Sequence, residues 1–210
     1  MDNREIRHER RKKFFIQAAM EILKTGDESL INAKEIASRA GYSASSLYDY
    51  FENLDELLIT SVDEYMEGIK EIMLEEIDKK KLITDKIKVS YIVCTKYFLD
   101  NPLLFKTVFM SGITKAGFPS DPALMPKLHK MEIERHKALE DLETLFHLKK
   151  GSASIIEQIL TPNMFGMLYM FFFGIYRYSK EKFLQIMEMN IDNVLKPFKE
   201  IETGKSNKFN

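Results

Sequence analysis

The chain has 210 residues, 45% apolar and 30% charged, with 31 basic side chains against 32 acidic ones. At about 150 residues per domain this is one large domain or two small ones, and the apolar fraction suffices for a sizeable core. The balanced charge excludes the signature of a disordered chain, and the single cysteine, Cys94, excludes an internal disulfide or a cysteine-built zinc site. The longest nearly apolar run, Met164 to Tyr176, is 13 residues, short of the roughly 20 that a membrane-spanning helix needs. The first residues hold no apolar stretch of a secretory signal, so a soluble, cytoplasmic protein with no membrane partner is expected.

Most of the chain reads with helical period, and strand-like alternation never exceeds four residues. Phe15, Ala18, Ala19, Ile22 and Leu23 recur on one face of a helix that Gly26 stops. Asn32 followed by Glu35 has N-cap and N3 character, opening a short helix with Ala33, Ile36, Ala37 and Ala40 inward. Gly41 ends it. Ser43 then caps a second short helix, Ala44–Phe51, with Leu47 and Phe51 inward. A longer amphipathic helix is predicted from Asp55 to about Asp78, and another over Thr84–Leu99. Asn101-Pro102 breaks the latter and starts a short helix to about Ser111. Gly112–Pro126, with two glycines and three prolines, is the one long loop. A charged helix over Lys127–Leu148, an apolar one over Ser152–Ser179 and an amphipathic one over Glu181–Ile201 complete the chain before a frayed tail. The predicted class is all-α, with about nine helices.

The two short helices joined at Ala40-Gly41-Tyr42-Ser43 form a helix-turn-helix: glycine takes the positive φ of a sharp turn, and serine caps the second helix. Helices this short do not hold themselves together in water, so the Phe15/Ala19/Ile22 stripe supplies a third wall. The second helix of such a unit can enter a major groove with its N-terminal residues against base edges. The segment Ile16-x-Ala18-Ala19…Gly26…Ile36-Ala37-x-x-Ala40-Gly41-x-Ser43-x-x-x-Leu47-Tyr48-x-Tyr50-Phe51 resembles the N-terminal domain of TetR-family transcriptional regulators, over about residues 9–69. The resemblance implies an N-terminal three-helix DNA-binding domain, residues 1–54, and a C-terminal antiparallel helical domain for effector binding and dimerisation, residues 55–210. It further implies a homodimer on a palindromic DNA operator, and repression relieved by a small molecule.

The sequence departs from the family pattern where DNA is read. Leu54 stands where the family often has lysine, Ala44-Ser45 open the recognition helix in place of a Lys-Gly or similar pair, and no lysine or arginine lies between Gly41 and Phe51. Base readout is therefore expected from the Ala44 methyl, the Ser45 and Ser46 hydroxyls and the Tyr42 and Tyr48 rings, with Asp49 accepting from cytosine, on an A/T-rich site, and the capping Ser43 is counted among the DNA-binding residues. Asn32 is placed near a phosphate at the start of its helix. Attraction to the backbone is assigned to an N-terminal arm, residues 1–13, with six basic against three acidic residues, Arg10 and Arg11 among them.

In the remaining two-thirds no GxSxG, P-loop or HExxH occurs, so neither enzyme activity nor a cofactor is expected. His129, Glu132 and His136 share a helical face with a spacing that can bind a metal, but Lys127, Lys130, Glu134, Arg135 and Lys137 around them mark a solvated face, and no metal is assigned. Tyr91, Cys94, Phe98, Phe105, Phe109, Phe165, Tyr169 and Phe172 are the candidate lining of a pocket for a hydrophobic or aromatic effector. The segment near 152–178 is apolar on nearly every side, so one side fills the core and another meets a partner helix. Phe171, Ile175, Phe183, Met187, Val194 and Phe198 are assigned to that dimer interface. The uncharged recognition helix leaves a second reading open, a helical small-molecule-binding or scaffolding protein with weak or no DNA affinity.

Overall fold

The computed structural model describes residues 2–109 and 125–205. These form nine α-helices and one 3₁₀ turn, with no strand among the described residues, and no helix among them is long and apolar enough to cross a membrane. They pack as two compact units, Met1–Glu67 with Asn101–His129, and Gly68–Asp100 with Lys130–Asn210. The first takes in the expected 1–54 domain and adds residues from three later helices.

In the first unit, α1 (Asn3–Thr25) opens with a capping box. An Asp2 carboxylate oxygen accepts from the Arg4 N–H at 2.6 Å, and Glu5 accepts from the Asp2 N–H at 2.8 Å. The basic stretch expected to be an arm is therefore the first turns of a helix. A 3₁₀ turn, Glu28–Leu30, leads to α2 (Ala33–Ala40), the left-handed Gly41 (φ 82°) and α3 (Ala44–Leu47). The recognition helix is shorter than Ala44–Phe51, because Tyr48, Asp49 and Tyr50 bond back to the carbonyls of Ser45, Ser46 and Leu47, a tighter i→i−3 pattern. Leu47 and Phe51 still point inward, into a core with Phe15, Ala19, Ile22, Ile36, Ala37, Leu57 and Leu58. From α4 (Leu54–Asp78) the Tyr65 hydroxyl donates to the Met20 carbonyl at 2.5 Å, tying α4 to α1. In α6 (Pro102–Phe109), Lys106 pairs with Glu28 at 2.7 Å. At the start of α7 (Pro126–Leu145), Lys127 and Leu128 donate their N–H groups to the Asp63 carboxylate. The loop expected over Gly112–Pro126 lies, but for Met125 and Pro126, outside the described residues.

In the second unit, α5 (Ile83–Asp100), α8 (Ser152–Phe172) and α9 (Lys180–Glu202) pack against one another. Ion pairs from Lys88 to Asp192 at 2.8 Å and from Lys199 to Asp85 at 2.7 Å brace α5 on α9. Two helix starts are capped from distant positions. The Glu202 carboxylate accepts from the N–H groups of Ile83 and Thr84 and from the Thr84 hydroxyl, at 2.8, 3.2 and 2.5 Å. Glu143 accepts from Gly151 and Ala153 at 3.1 and 2.8 Å, supplying the acceptor that the N-cap Gly151 lacks. The apolar helix ends at Phe172, short of the expected Ser179. Gly174 turns left-handed (φ 70°), and the N–H groups of Ile175 and Tyr176 return to the Met170 carbonyl. The 13-residue apolar run is thus not one helix.

Candidate nucleic-acid interface

Of the predicted contact residues on the turn and α3, Ser43, Ser45, Tyr48 and Asp49 are exposed, and Tyr42, Ala44 and Ser46 are half-buried. Ser43 caps α3 through its hydroxyl, which accepts from the Ser46 N–H at 3.3 Å and lies 2.9 and 2.8 Å from the hydroxyls of Ser45 and Ser46. Ala44 is half-buried, and Ser45 and Asp49 are exposed. Tyr48 is 54% exposed at the end of α3. Tyr42 is half-buried against α1, its ring 5.3 Å from that of Phe15 between centroids. Tyr50 packs between His8 and Phe15, at 4.6 and 5.5 Å, and so belongs to the framework. Asn32 is committed at both ends of its amide: the oxygen accepts from the Glu35 N–H at 2.9 Å, and the nitrogen donates to the Ser29 carbonyl at 3.1 Å.

The positive charge lies on α1. Arg4, Arg7, Arg10, Arg11 and Lys13 are exposed, and Lys12 sits over the Phe51 ring at 5.1 Å. Arg11 stands beside the Tyr50 and Tyr42 hydroxyls. Hydrogen bonding to Tyr50, followed by charge interaction with Tyr50 and Tyr42, raises its pKa above the ordinary arginine value. Helical spacing puts Arg4, Arg7 and Arg11 on a common face, so a row of guanidinium groups leads to the edge of the recognition surface. The cations are plain in the sequence but their row is not, because it depends on α1 being helical from Asn3. On α2, Arg39 is neutralised by Glu35 at 2.9 Å.

In the second unit, Tyr91, Cys94 and Phe98 of α5 are buried, and the Phe165 ring of α8 is 6.5 Å from that of Phe98. The Tyr91 and Thr161 hydroxyls are hydrogen-bonded at 3.1 Å. Arg135, expected on a solvated face, is instead 2% exposed: its guanidinium lies over the Tyr91 ring at 5.0 Å, and its Nε has no hydrogen-bond partner among the described residues. The signal is there in the sequence, since Leu128, Met131, Arg135, Leu139 and Leu142 recur with the spacing of one helical face. Burial pushes the Cys94 thiol and the Tyr91 phenol above their ordinary pKa values. Tyr169 is a surface residue and Phe172 is half-buried, while Phe105 and Phe109, 4.9 Å apart, belong to the first unit. The eight candidate lining residues are therefore not gathered in one unit. His136 Nδ1 lies 2.7 Å from a carboxylate oxygen of Glu157, and no described group of three His, Cys, Asp or Glu is arranged to hold a metal ion.

Of the residues assigned to an interface, Phe183 and Met187 fill the core of their own chain, 0% and 1% exposed, with Phe171 packed on Phe183 at 4.9 Å. Val194 and Phe198 are half-buried, and Ile175 is exposed. The apolar side chains left at the surface of α8 and α9 are Ile155, Ile159, Tyr169 and Met189.

Comparison with known proteins bears on both units. Residues 15–60 match the family model of bacterial regulatory proteins, tetR family. No curated protein matches the chain. Solved structures share its fold. The transcriptional regulator FadR from Bacillus subtilis, solved with stearoyl-CoA, has a TM-score of 0.64 at 16% identity, covering 87% of this chain and 96% of its own. A TetR transcriptional regulator from Rhodococcus sp. RHA1 has a TM-score of 0.60 at 19% identity, covering 91% and 97%. The fatty acid degradation regulator FadR from Bacillus halodurans has 0.62 at 14%, covering 86% and 94%.

Proposed function

We propose that this chain, a TetR-family transcription regulator by its head and its fold, binds a palindromic operator as a homodimer and represses until a small apolar effector releases it. The observation that carries the reading is the exposure of Ser43, Ser45, Tyr48 and Asp49 on the turn and α3, with the exposed arginines Arg4, Arg7 and Arg11 on α1. With no cation on α3, direct readout falls to the Ala44 methyl, the Ser45 and Ser46 hydroxyls and the Tyr48 ring, which suit thymine methyls and A·T pairs. The arginines supply attraction without sequence preference. A dimer presents two such heads, so half-sites about one helical turn apart, or a multiple of that, are required. The FadR neighbour solved with stearoyl-CoA supports an apolar effector class. Such a ligand lowers DNA affinity only if it prefers the conformation that fits the operator poorly.

The test is fluorescence anisotropy with DNA from upstream of the chain's own gene, across a salt series. Binding should weaken linearly in log–log form. Arg10→Ala with Arg11→Ala should weaken all sequences alike, flattening the slope by about one for each phosphate no longer neutralised. Tyr48→Ala should instead shift the consensus selected from a random library. A chain that binds no duplex even at low salt is the helical small-molecule-binding protein of the second reading.

A further inference from the structure

The second unit contains a cavity of about 1050 Å³ where the start of α5, the α7–α8 turn, the start of α8 and the end of α9 meet. It is at least as large as the roughly 300–1,000 Å³ that small ligands occupy. Leu82, Phe146, Leu148, Ile156, Phe198 and Ile201 form apolar walls, with the Phe146 and Phe198 rings 5.4 Å apart between centroids. Of these only Phe198 belongs to a predicted site, and none to the predicted pocket. The one carboxylate at the cavity, Glu202, is committed to the start of α5. The Ser152 hydroxyl is likewise committed, donating to the Lys149 carbonyl at 2.6 Å. Lys149 is an exposed lining residue, and its ammonium forms no ion pair among the described residues. Among the described lining residues the cavity thus offers largely apolar walls, the Lys149 cation without an ion pair, the His147 imidazole, and no uncommitted carboxylate to repel an anion.

We infer that this cavity binds a single-chain amphiphile with an anionic head, its tail lying along the contacting Phe146 and Phe198 rings and its carboxylate at Lys149. The apolar walls set the tail, since each buried methylene contributes a fixed increment, and Lys149 sets the sign of the head. As the effector site of the proposed regulator, the inference rests on that reading. Binding itself involves no DNA, so the two fail separately.

The chain has no tryptophan, so Leu145→Trp, at an exposed position lining the cavity, makes a single reporter in the full-length protein. Decanoate, titrated below its micelle concentration, should shift the reporter's emission to saturation at one molecule per chain. Octanoate, two methylenes shorter, should bind about fifteenfold more weakly. Lys149→Met in the same background should weaken decanoate about two- to fivefold and leave decanol unchanged. The inference is overturned if decanoate gives no saturable shift, or if Lys149→Met weakens decanoate and decanol alike. It is equally overturned if the reporter shifts with protein concentration alone, since a second copy of the chain then covers the cavity.

Discussion

Asp63 is placed between opposing demands. It is buried, its carboxylate accepts from the N–H groups of Lys127 and Leu128 at 3.0 and 3.1 Å, and Lys127 in turn pairs with Glu64. Desolvation raises its pKa, the two backbone hydrogen bonds and the Lys127 charge oppose the rise, and the net direction is upward. The folded state therefore binds this proton more readily than the unfolded chain does. The associated stability is fully present below the unfolded value of about 3.9 and is lost as pH rises through the folded one. Asp63→Asn keeps an oxygen acceptor and removes the titration, so wild type should gain stability relative to this variant as pH falls from neutral toward about 4. Asp63→Ala strands two N–H groups and should cost about 1–3 kcal/mol at any pH. Urea denaturation at several pH values reads both, and a wild-type-to-Asn difference that is flat with pH would contradict the direction given. The sequence carries no sign of this residue: Asp63 lies in a charged stretch, and the N–H groups it meets are 64 and 65 positions away. Arg135 is legible only as an interruption of an apolar stripe, because a charge count around a helix does not say which face is covered.

At the scale of elements, local signals decide most boundaries. Gly26, Asn32, Gly41 and Ser43 act on neighbours within four residues, and α1 through α3 break where those residues stand. Caps supplied from a distance are not legible. The partners of Glu202 are 119 and 118 positions away, and packing alone brings them together. The end of α8 escapes a sequence reading for another reason: a run apolar on all sides has no period to lose, so only Gly174 marks the stop. The caps and the turn can be weighed by substitution. Glu202→Ala should destabilise the second unit by about 1–3 kcal/mol by unpairing the Ile83 and Thr84 N–H groups, and Glu202→Gln should recover part of the loss. Gly41→Ala should cost about 1–2 kcal/mol through left-handed strain alone, because a methyl there meets no atom within 4 Å. Thermal melts check both. An unchanged melting temperature for Glu202→Ala would show the cap to be replaceable by water.

At the scale of the whole molecule, the question is which faces remain for a second copy. Phe183, Met187, Ile191 and Leu195 repeat every four residues along α9 and are consumed by the core of their own chain. Met189 lies off that stripe and is exposed, as are Ile159 and Tyr169 along α8, whereas the exposed Ile155 lines the cavity. Singly such exposures are ordinary; on two helices that pack against each other they are the large apolar side chains left for a partner among the described residues. A standard interface removes about 800 Å² per partner, worth roughly 20 kcal/mol gross on each side at 25 cal/mol per Å² if largely apolar, against an association cost of about 4–15 kcal/mol. Charges at these positions must be desolvated without a partner, at several kcal/mol each. Ile159→Glu with Met189→Glu should therefore give a folded monomer at micromolar concentration, with the helical signal and melting temperature of the single chain retained. Operator affinity should fall at least tenfold, because each head then binds its half-site alone. Phe183→Asp should behave differently, losing the fold itself, since that side chain has no exposed surface. Sedimentation velocity separates the outcomes. A wild-type chain that sediments as a monomer at micromolar concentration removes the dimer, and with it the requirement for a palindrome.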